Sequence, residues 1–433
     1  MIKKSGFGLL ALLAYGNFEA YILGYGTFLL FVTIITAIIC SDILIFNLVT
    51  ANALRRVDIR RTLGKSYGRK GESISVVLKF TNATRRSIYF HYFDPLSTVF
   101  RPDQNSSGEV SLGPGETVER RYGVSSVSIG KYQVGPIIVY SEDSLRLCIS
   151  SYILAKDNEI KIAPAFSDIM SSRSELLSNF VFSQGSHISK TIGQGYDFHG
   201  IRQYVDSDDF RYVAWSRFGI QTGDDLYIKE MEEERDINVI FVLDYSNAVN
   251  YGNDESRLFD QIVASVISAS HAILRNRDGV GYLIVSSTHD YFIEPKRSVN
   301  VIQKFEKAVS GIIPDGSFTF QMAMERIREN VTKSAFIILL TPLSFTENFS
   351  FRREDFRISG KRPVVMLISK ENYAKGLDSF QERLLRNAFI MENRKLKSIS
   401  SFLNSAGIKS RVVTNRNLLP RILSEYRYGK MVN

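Results

Sequence analysis

Two cysteines in 433 residues, Cys40 inside an apolar run and Cys148 far downstream of it, exclude a disulfide framework. The five histidines (His91, His187, His199, His271 and His289) show no spacing that would gather zinc ligands. No Gly-x-x-x-x-Gly-Lys phosphate loop and no Gly-x-Ser-x-Gly elbow occurs. Gly193-x-Gly195 lacks a third glycine and does not open a helix from a strand. Nucleotide hydrolysis, serine hydrolysis and zinc chemistry are therefore set aside, and no enzymatic activity is expected. Disorder is excluded as well, because 44% of the residues are apolar, enough for real cores.

What is present first is a membrane-type amino terminus. From Gly6 to Thr50 the chain is almost wholly apolar, and Ala20 to Cys40 carries no charge, the length a bilayer-crossing helix requires. A cleaved signal peptide fits poorly, since the run is too long and no small-x-small site ends it. Residues 1–52 are thus read as an anchor of one or two helices in contact with membrane lipid. A hairpin is preferred, turning at Asn17 and Glu19 or at Gly24-Tyr25-Gly26. In a chain of net charge +9, a basic cluster lies just after it: seven basic residues between Arg55 and Lys70, opposed only by Asp58. Lys3 and Lys4 before the run and Arg55, Arg56, Arg60 and Arg61 after it place the body in the cytoplasm, at the cell membrane. The basic run lacks interleaved aromatics, so no nucleic-acid partner is expected.

Residues 57–165 switch to short alternating runs (SISVVLKF, SIYFHYF, KYQVGPIIVY, NEIKIAPAF) separated by turn residues, the signature of a β-sandwich of five to eight strands with an immunoglobulin-like build. His91 among aromatics is expected as a packed core residue. From Ile237 to the end, residues 237–433, apolar strands alternate with helical patterns, which builds an α/β doubly wound sheet. Its first strand, INVIFVLD, ends in Asp244-Tyr245-Ser246, at the edge where such sheets bind ligands. This strand end resembles the place where a von Willebrand factor type A domain holds its metal, and that resemblance implies Asp244, Ser246 and Thr319 as the candidate magnesium ligands. It also implies a second serine where Ala248 offers no oxygen, and a further aspartate where Leu340-Thr341-Pro342 stands. The metal site therefore reads as eroded, and capping by Asp244 and Ser246 is the simpler role.

Residues 166–236, between these two regions, are read as a linker carrying GYDFHGIRQYVDSDDFRYVAWSRF and the acidic run KEMEEERD. Taken with the order of parts, they resemble the membrane-anchored family called domain of unknown function 58, whose carboxyl half is a von Willebrand factor type A-like domain. The residues carrying the resemblance are Gly195, Phe198, Arg202, Tyr204, Asp208, Asp209, Arg211, Trp215, Arg217, Glu230, Glu234 and Arg235. The resemblance implies a non-catalytic adaptor that works with a MoxR-type ring ATPase, of the AAA+ class, in assembling, maturing or remodelling other proteins.

Read from its residues alone, the segment alternates charges around the chain's single tryptophan. Such a stretch serves either as an interdomain clasp that buries Trp215 or as a docking surface for a partner. Two functions stay open: a membrane-tethered protein-binding adaptor, and an outward-facing metal-dependent adhesion or receptor-like module.

Overall fold

The computed structural model describes residues 2–153, 158–165, 192–217, 226–232, 236–255, 257–331, 334–342, 363–370 and 379–432. Contacts divide the chain into two units, Met1–Ala163 with Ser310–Ile312, and the remainder from Pro164 onward.

The first unit begins with two helices, α1 (Lys4–Ile22) and α2 (Gly26–Ile45), joined at Gly24, whose φ of 69° suits a residue without Cβ. Asn17 and Glu19, the other expected turn position, lie inside α1. Asn17 Nδ2 donates to Thr36 Oγ1 on α2 at 2.9 Å, a polar tie across an otherwise apolar seam of Leu13, Val32 and Ile39. A short helix α3 (Ala51–Leu54) continues the second arm. Among the described residues one helix, Gly26–Leu54, is long and apolar enough to cross a bilayer. Its 29 residues span about 43 Å against a hydrocarbon core of about 30 Å. Helix α1, interrupted by Asn17 and Glu19, does not meet that test, so the two-span expectation narrows to one spanning-length helix and a second helix folded along it. At the base, Lys3 N donates to Leu147 O at 2.8 Å and Lys3 Nζ pairs with Glu142 at 2.6 Å.

The strands that follow are numbered along the chain. One sheet has the order β1 (Val57–Leu63), β3 (Ser73–Asn82), β7 (Thr117–Ser126), β5 (Phe100–Pro102). A second has β10 (Ile149–Ile153), β9 (Ile138–Glu142), β4 (Ile88–Phe93), β6 (Ser107–Leu112), and a third β2 (Tyr67–Arg69), β11 (Asn158–Ala163), β8 (Gly130–Val134). Eleven strands exceed the expected five to eight because several are three to six residues long, too short for alternation to announce them. Where alternation is long it sets the core: Ile74, Val76, Leu78 and Phe80 of β3 face Ile88, Phe90 and Tyr92 of β4.

The centre of this region is charged. Arg61 of β1, placed by sequence in the membrane flank, is buried instead, its guanidinium clamped on Asp94 at the end of β4. Tyr122 of β7 donates to Asp94 Oδ2 at 2.6 Å, and Arg61 also reaches Asn158 Oδ1 on β11 at 3.3 Å. One ion pair thereby joins all three sheets. Gly135 has no side chain for a reason: a Cβ there would lie 2.5 Å from Arg61 Nη1. His91 is likewise not a core residue. It sits half-buried on the outer side of β4, stacked on Tyr140 at 4.9 Å and 3.5 Å from Glu109. In a strand the side chains flanking a buried position point outward, and His91 lies between the buried Phe90 and Tyr92.

In the second unit, β12 (Ile192–Gln203) and β13 (Tyr227–Glu232) form an antiparallel hairpin within the segment expected as a linker. A six-stranded sheet follows in the order β16 (Asp290–Lys296), β15 (Gly279–Val285), β14 (Asn238–Asp244), β17 (Phe336–Thr341), β18 (Val364–Ser369), β19 (Ser410–Thr414). All neighbours are parallel except the edge pair β15–β16. Five described helices accompany it: α4 (Leu258–Arg275), α5 (Asn300–Gly311), α6 (Phe320–Asn330), α7 (Ser379–Ser405) and α8 (Leu418–Val432). Ile240, Val242, Leu283 and Leu339 pack with Phe320, Met324, Leu396 and Leu403 on one face, where α6 and α7 lie. On the other, Tyr282 stacks on Phe305 of α5 at 4.1 Å and donates to Ser270 of α4 at 2.8 Å. Both faces are covered, which is why the central strands read as continuous apolar runs. Strand β16 and helix α8 were not expected from sequence. β16 is an edge strand with Pro295 in it and mostly exposed side chains, so it lacks the apolar signature of its neighbours.

Removing one partner of the Arg61–Asp94 pair strands a buried charge, so Arg61→Ala is expected to lower stability by about 3–5 kcal/mol. Denaturant unfolding of the detergent-solubilised protein measures it, and a loss under about 1 kcal/mol contradicts this role.

Candidate functional site

Strand β14 lies at the point where the strand order reverses, since the chain leaves it toward β15 and returns on its other side as β17. Parallel sheets leave a crevice at the carboxyl ends of such strands. Asp244 ends β14 and Thr341 ends β17, both buried. Thr341 Oγ1 donates to Asp244 Oδ2 at 2.7 Å, and Ser246 N donates to Asp244 Oδ1 at 2.9 Å. Burial pushes the Asp244 carboxyl above its ordinary range. The hydrogen bonds from Ser246 and Thr341 and the charge of Lys370 oppose that shift without cancelling it.

The other expected ligands are engaged locally. Ser246 Oγ accepts from Ala248 N at 3.3 Å, opening the turn Asn247–Asn250, and Thr319 Oγ1 accepts from Met322 N at 3.2 Å as the amino-terminal cap of α6. Loops lock the rim further, with Asn247 N on Gly316 O at 3.1 Å and Asp315 N on Tyr245 O at 3.0 Å. Of the three candidates, the fold thus joins Asp244 to Ser246 and turns Thr319 toward its own helix. The donor set does not fit a hard dication. It holds one carboxylate, both of whose oxygens already accept protein hydrogen bonds, and a methyl group at position 248. Among the described residues no group of three or more His, Cys, Asp or Glu side chains is placed to hold a metal ion.

Sequence reasoning passed over two residues here. Thr341 was noted only as a missing aspartate, although a hydroxyl at the end of a buried strand is itself a donor. Lys370 follows β18, pairs with Glu392 at 3.5 Å and lies 5.3 Å above the Tyr251 ring. Its signal was a lone cation directly after PVVMLIS.

The hairpin carries most of the remaining candidates. Phe198 pairs with Met231 and Gly200 with Glu230, with irregular register from Gly193 to Gly200 that takes in Gly195. Arg202 grips Asp208 through both terminal nitrogens, at 2.6 and 2.5 Å, and Arg211 holds Asp209 through Nε at 2.9 Å. Hydrogen bonds from Arg202 and Arg211 keep the Asp208 and Asp209 carboxyls below their ordinary range. Arg217 closes the turn Trp215–Arg217. Glu234 and Arg235 lie outside the described residues.

Trp215 is 60% exposed, contrary to the burial a clasp requires; Phe210 and Val205 are 55% and 57% exposed. The small neighbours Val213 and Ala214 go inward in its place, Ala214 N donating to Tyr227 O at 2.7 Å. Tyr204 contacts Phe210 at 5.2 Å and Phe210 faces Trp215 at 6.5 Å, so three aromatic rings form a surface bordered by two arginine–aspartate pairs.

A doubly wound sheet preceded by this hairpin defines the class of the carboxyl-terminal half. Within it, residues 200–372 match the family described as Protein of unknown function DUF58. No curated protein matches the chain. Among solved structures, an aerotolerance-related membrane protein from Bacteroides fragilis is similar over 44% of this chain and 97% of its own at 12% identity, with a TM-score of 0.29. A fragment of native alpha-2-macroglobulin from Escherichia coli aligns with 25% of this chain and 17% of its own at 18% identity (TM-score 0.20). A PapD-like domain of human CEP192 aligns with 26% of this chain and 86% of its own at 12% identity (TM-score 0.18).

A carboxyl group whose folded value is raised favours folding below its unfolded value of about 3.9, and that contribution is lost as pH rises through the raised value. Thermal melts across that range are therefore expected to show the wild-type protein losing stability relative to Asp244→Asn as pH rises. Parallel pH profiles contradict a buried, disfavoured charge.

Proposed function

We propose that this chain is a membrane-anchored adaptor that recognises a protein partner through the exposed Tyr204–Phe210–Trp215 surface. The observation that carries the reading is this aromatic cluster beside gripped arginines. Tryptophan, tyrosine and arginine dominate binding hot spots, and the two ion pairs hold the loop so that little ordering is left to occur on docking. On the resemblance to domain of unknown function 58, the partner is a MoxR-type AAA+ ATPase and the shared task is assembly, maturation or remodelling of other proteins. The six-stranded sheet is read as von Willebrand A-like and the region from β1 to β11 as an immunoglobulin-like spacer. The helix Gly26–Leu54 holds the body at the membrane, on the cytoplasmic side by its basic flank, and no nucleic acid, catalysis or metal is called for. The outward-facing metal-dependent alternative draws no support from the rim, whose donors suit a hydrogen-bonded carboxylate better than magnesium.

Because both rings are exposed, Phe210→Ala and Trp215→Ala are expected to leave the melting curve within about 0.5 kcal/mol of the original. Each is expected to weaken partner binding by about 2 kcal/mol, roughly 30-fold. Co-purification of the ATPase with the solubilised protein measures this. Equal recovery with both variants overturns the reading.

A further inference from the structure

The charge of this chain is not spread evenly. From Arg383 to the carboxyl end there are eleven lysines and arginines against two acids, Glu392 and Glu425; that excess of nine equals the formal +9 of the whole sequence. Both acids are engaged from below: Glu392 with Lys370 at 3.5 Å, and the buried Glu425 with Lys409 at 2.5 Å and Arg411 at 3.2 Å. The outer face they leave is cationic.

Three of the cations converge. Lys397 on α7, Arg411 on β19 and Arg421 on α8 ring a pocket of about 350 Å³ whose floor carries Ser400, Asn404 and Ser410. The floor is fixed by its own hydrogen bonds: the Ser400 and Ser410 hydroxyls meet at 2.9 Å, Ser410 Oγ donates to Ser400 O at 2.8 Å, and Ser410 N donates to Asn404 Oδ1 at 2.8 Å. Arg411 is anchored through Nε on Glu425 while its side chain stays 53% exposed. Strand β19 is the sheet's edge, yet Asn404 takes the backbone of Ser410 and Asn417 Oδ1 takes Thr414 N at 2.8 Å. With both ends of the edge occupied by asparagine, recognition there proceeds through side-chain charge and not through strand addition.

We propose that this pocket at the β19 edge binds an acidic segment of a partner protein, with Lys397, Arg411 and Arg421 receiving its carboxylates and the serine–asparagine floor seating them. A lipid surface or a nucleic-acid backbone presents a plane or a line of charge. Cations gathered around one concave pocket suit one or two carboxylate side chains instead. The site shares no residue with the hairpin surface, so the two succeed or fail independently.

The test uses the full-length protein in detergent micelles and a fluorescein-labelled peptide of alternating glutamate and serine, with its glutamine counterpart as control, read by anisotropy. The expected result is binding of the glutamate peptide alone. Arg421→Glu and, separately, Lys397→Glu should weaken it about tenfold or more, raised salt should weaken it too, and Trp215→Ala should leave it unchanged. Both charge reversals lie on exposed side chains, and a thermal melt alongside confirms folding. The proposal is overturned if the peptide does not bind, if the reversals leave its affinity unaltered, or if phosphatidylglycerol vesicles or single-stranded DNA show the charge dependence and the peptide does not.

Discussion

A carboxylate removed from water must be given donors or a counter-ion, and at the carboxyl end of β14 that requirement decides what the rim of the sheet can do. Asp244 receives a hydroxyl from Thr341 and a backbone N–H from Ser246, with the Lys370 charge acting on it as well. A cation binding there would have to displace internal hydrogen bonds already made and find ligands from residues turned elsewhere. Both Asp244 oxygens are thus occupied by the protein's own donors, and Thr341 ties β14 to β17 across the switch point.

Elsewhere on the second unit the described surface carries exposed aromatic area and unbalanced charge. The hairpin has the first: its short turn buries Val213 and Ala214 and leaves Phe210 and Trp215 facing solvent, while Arg202–Asp208 and Arg211–Asp209 stiffen it. The arginine–aspartate pairs are charge-assisted hydrogen bonds on either side of these rings. The first unit is held together by charge. Its three sheets meet on Arg61–Asp94, and its amino-terminal helices join it through Lys3 to Glu142 and Leu147.

Much of this was legible in the residues, and the rest failed for identifiable reasons. The strands β14, β15, β17 and β18 were plain because burial on both faces forces continuous apolar runs. Helices α4 and α6 were plain because one face stays apolar at helical spacing. Strand β16 was missed because an edge strand has little to bury. Arg61 was misread because its sequence neighbours are membrane-flanking arginines, and only the pairing of β1 with β3 turns it inward. For Trp215 the sequence left burial in a clasp and exposure on a docking surface both open, and the indole is exposed. What sequence does not carry is the competition with two smaller residues directly before it, which fit the hairpin core where an indole would not. Asp244 and Ser246 lie at the carboxyl end of β14, and Thr341, which donates to Asp244, lies 97 residues from it, beyond any local pattern.

The proposed recognition lies at the hairpin and not at the sheet rim. A photoreactive amino acid placed at Phe210 or, in a separate variant, at the exposed rim residue Asn247 compares the two directly in native membranes. Ultraviolet cross-linking to a discrete protein partner from position 210, with none from position 247, is the predicted result. A partner trapped from position 247 and absent from position 210 contradicts it.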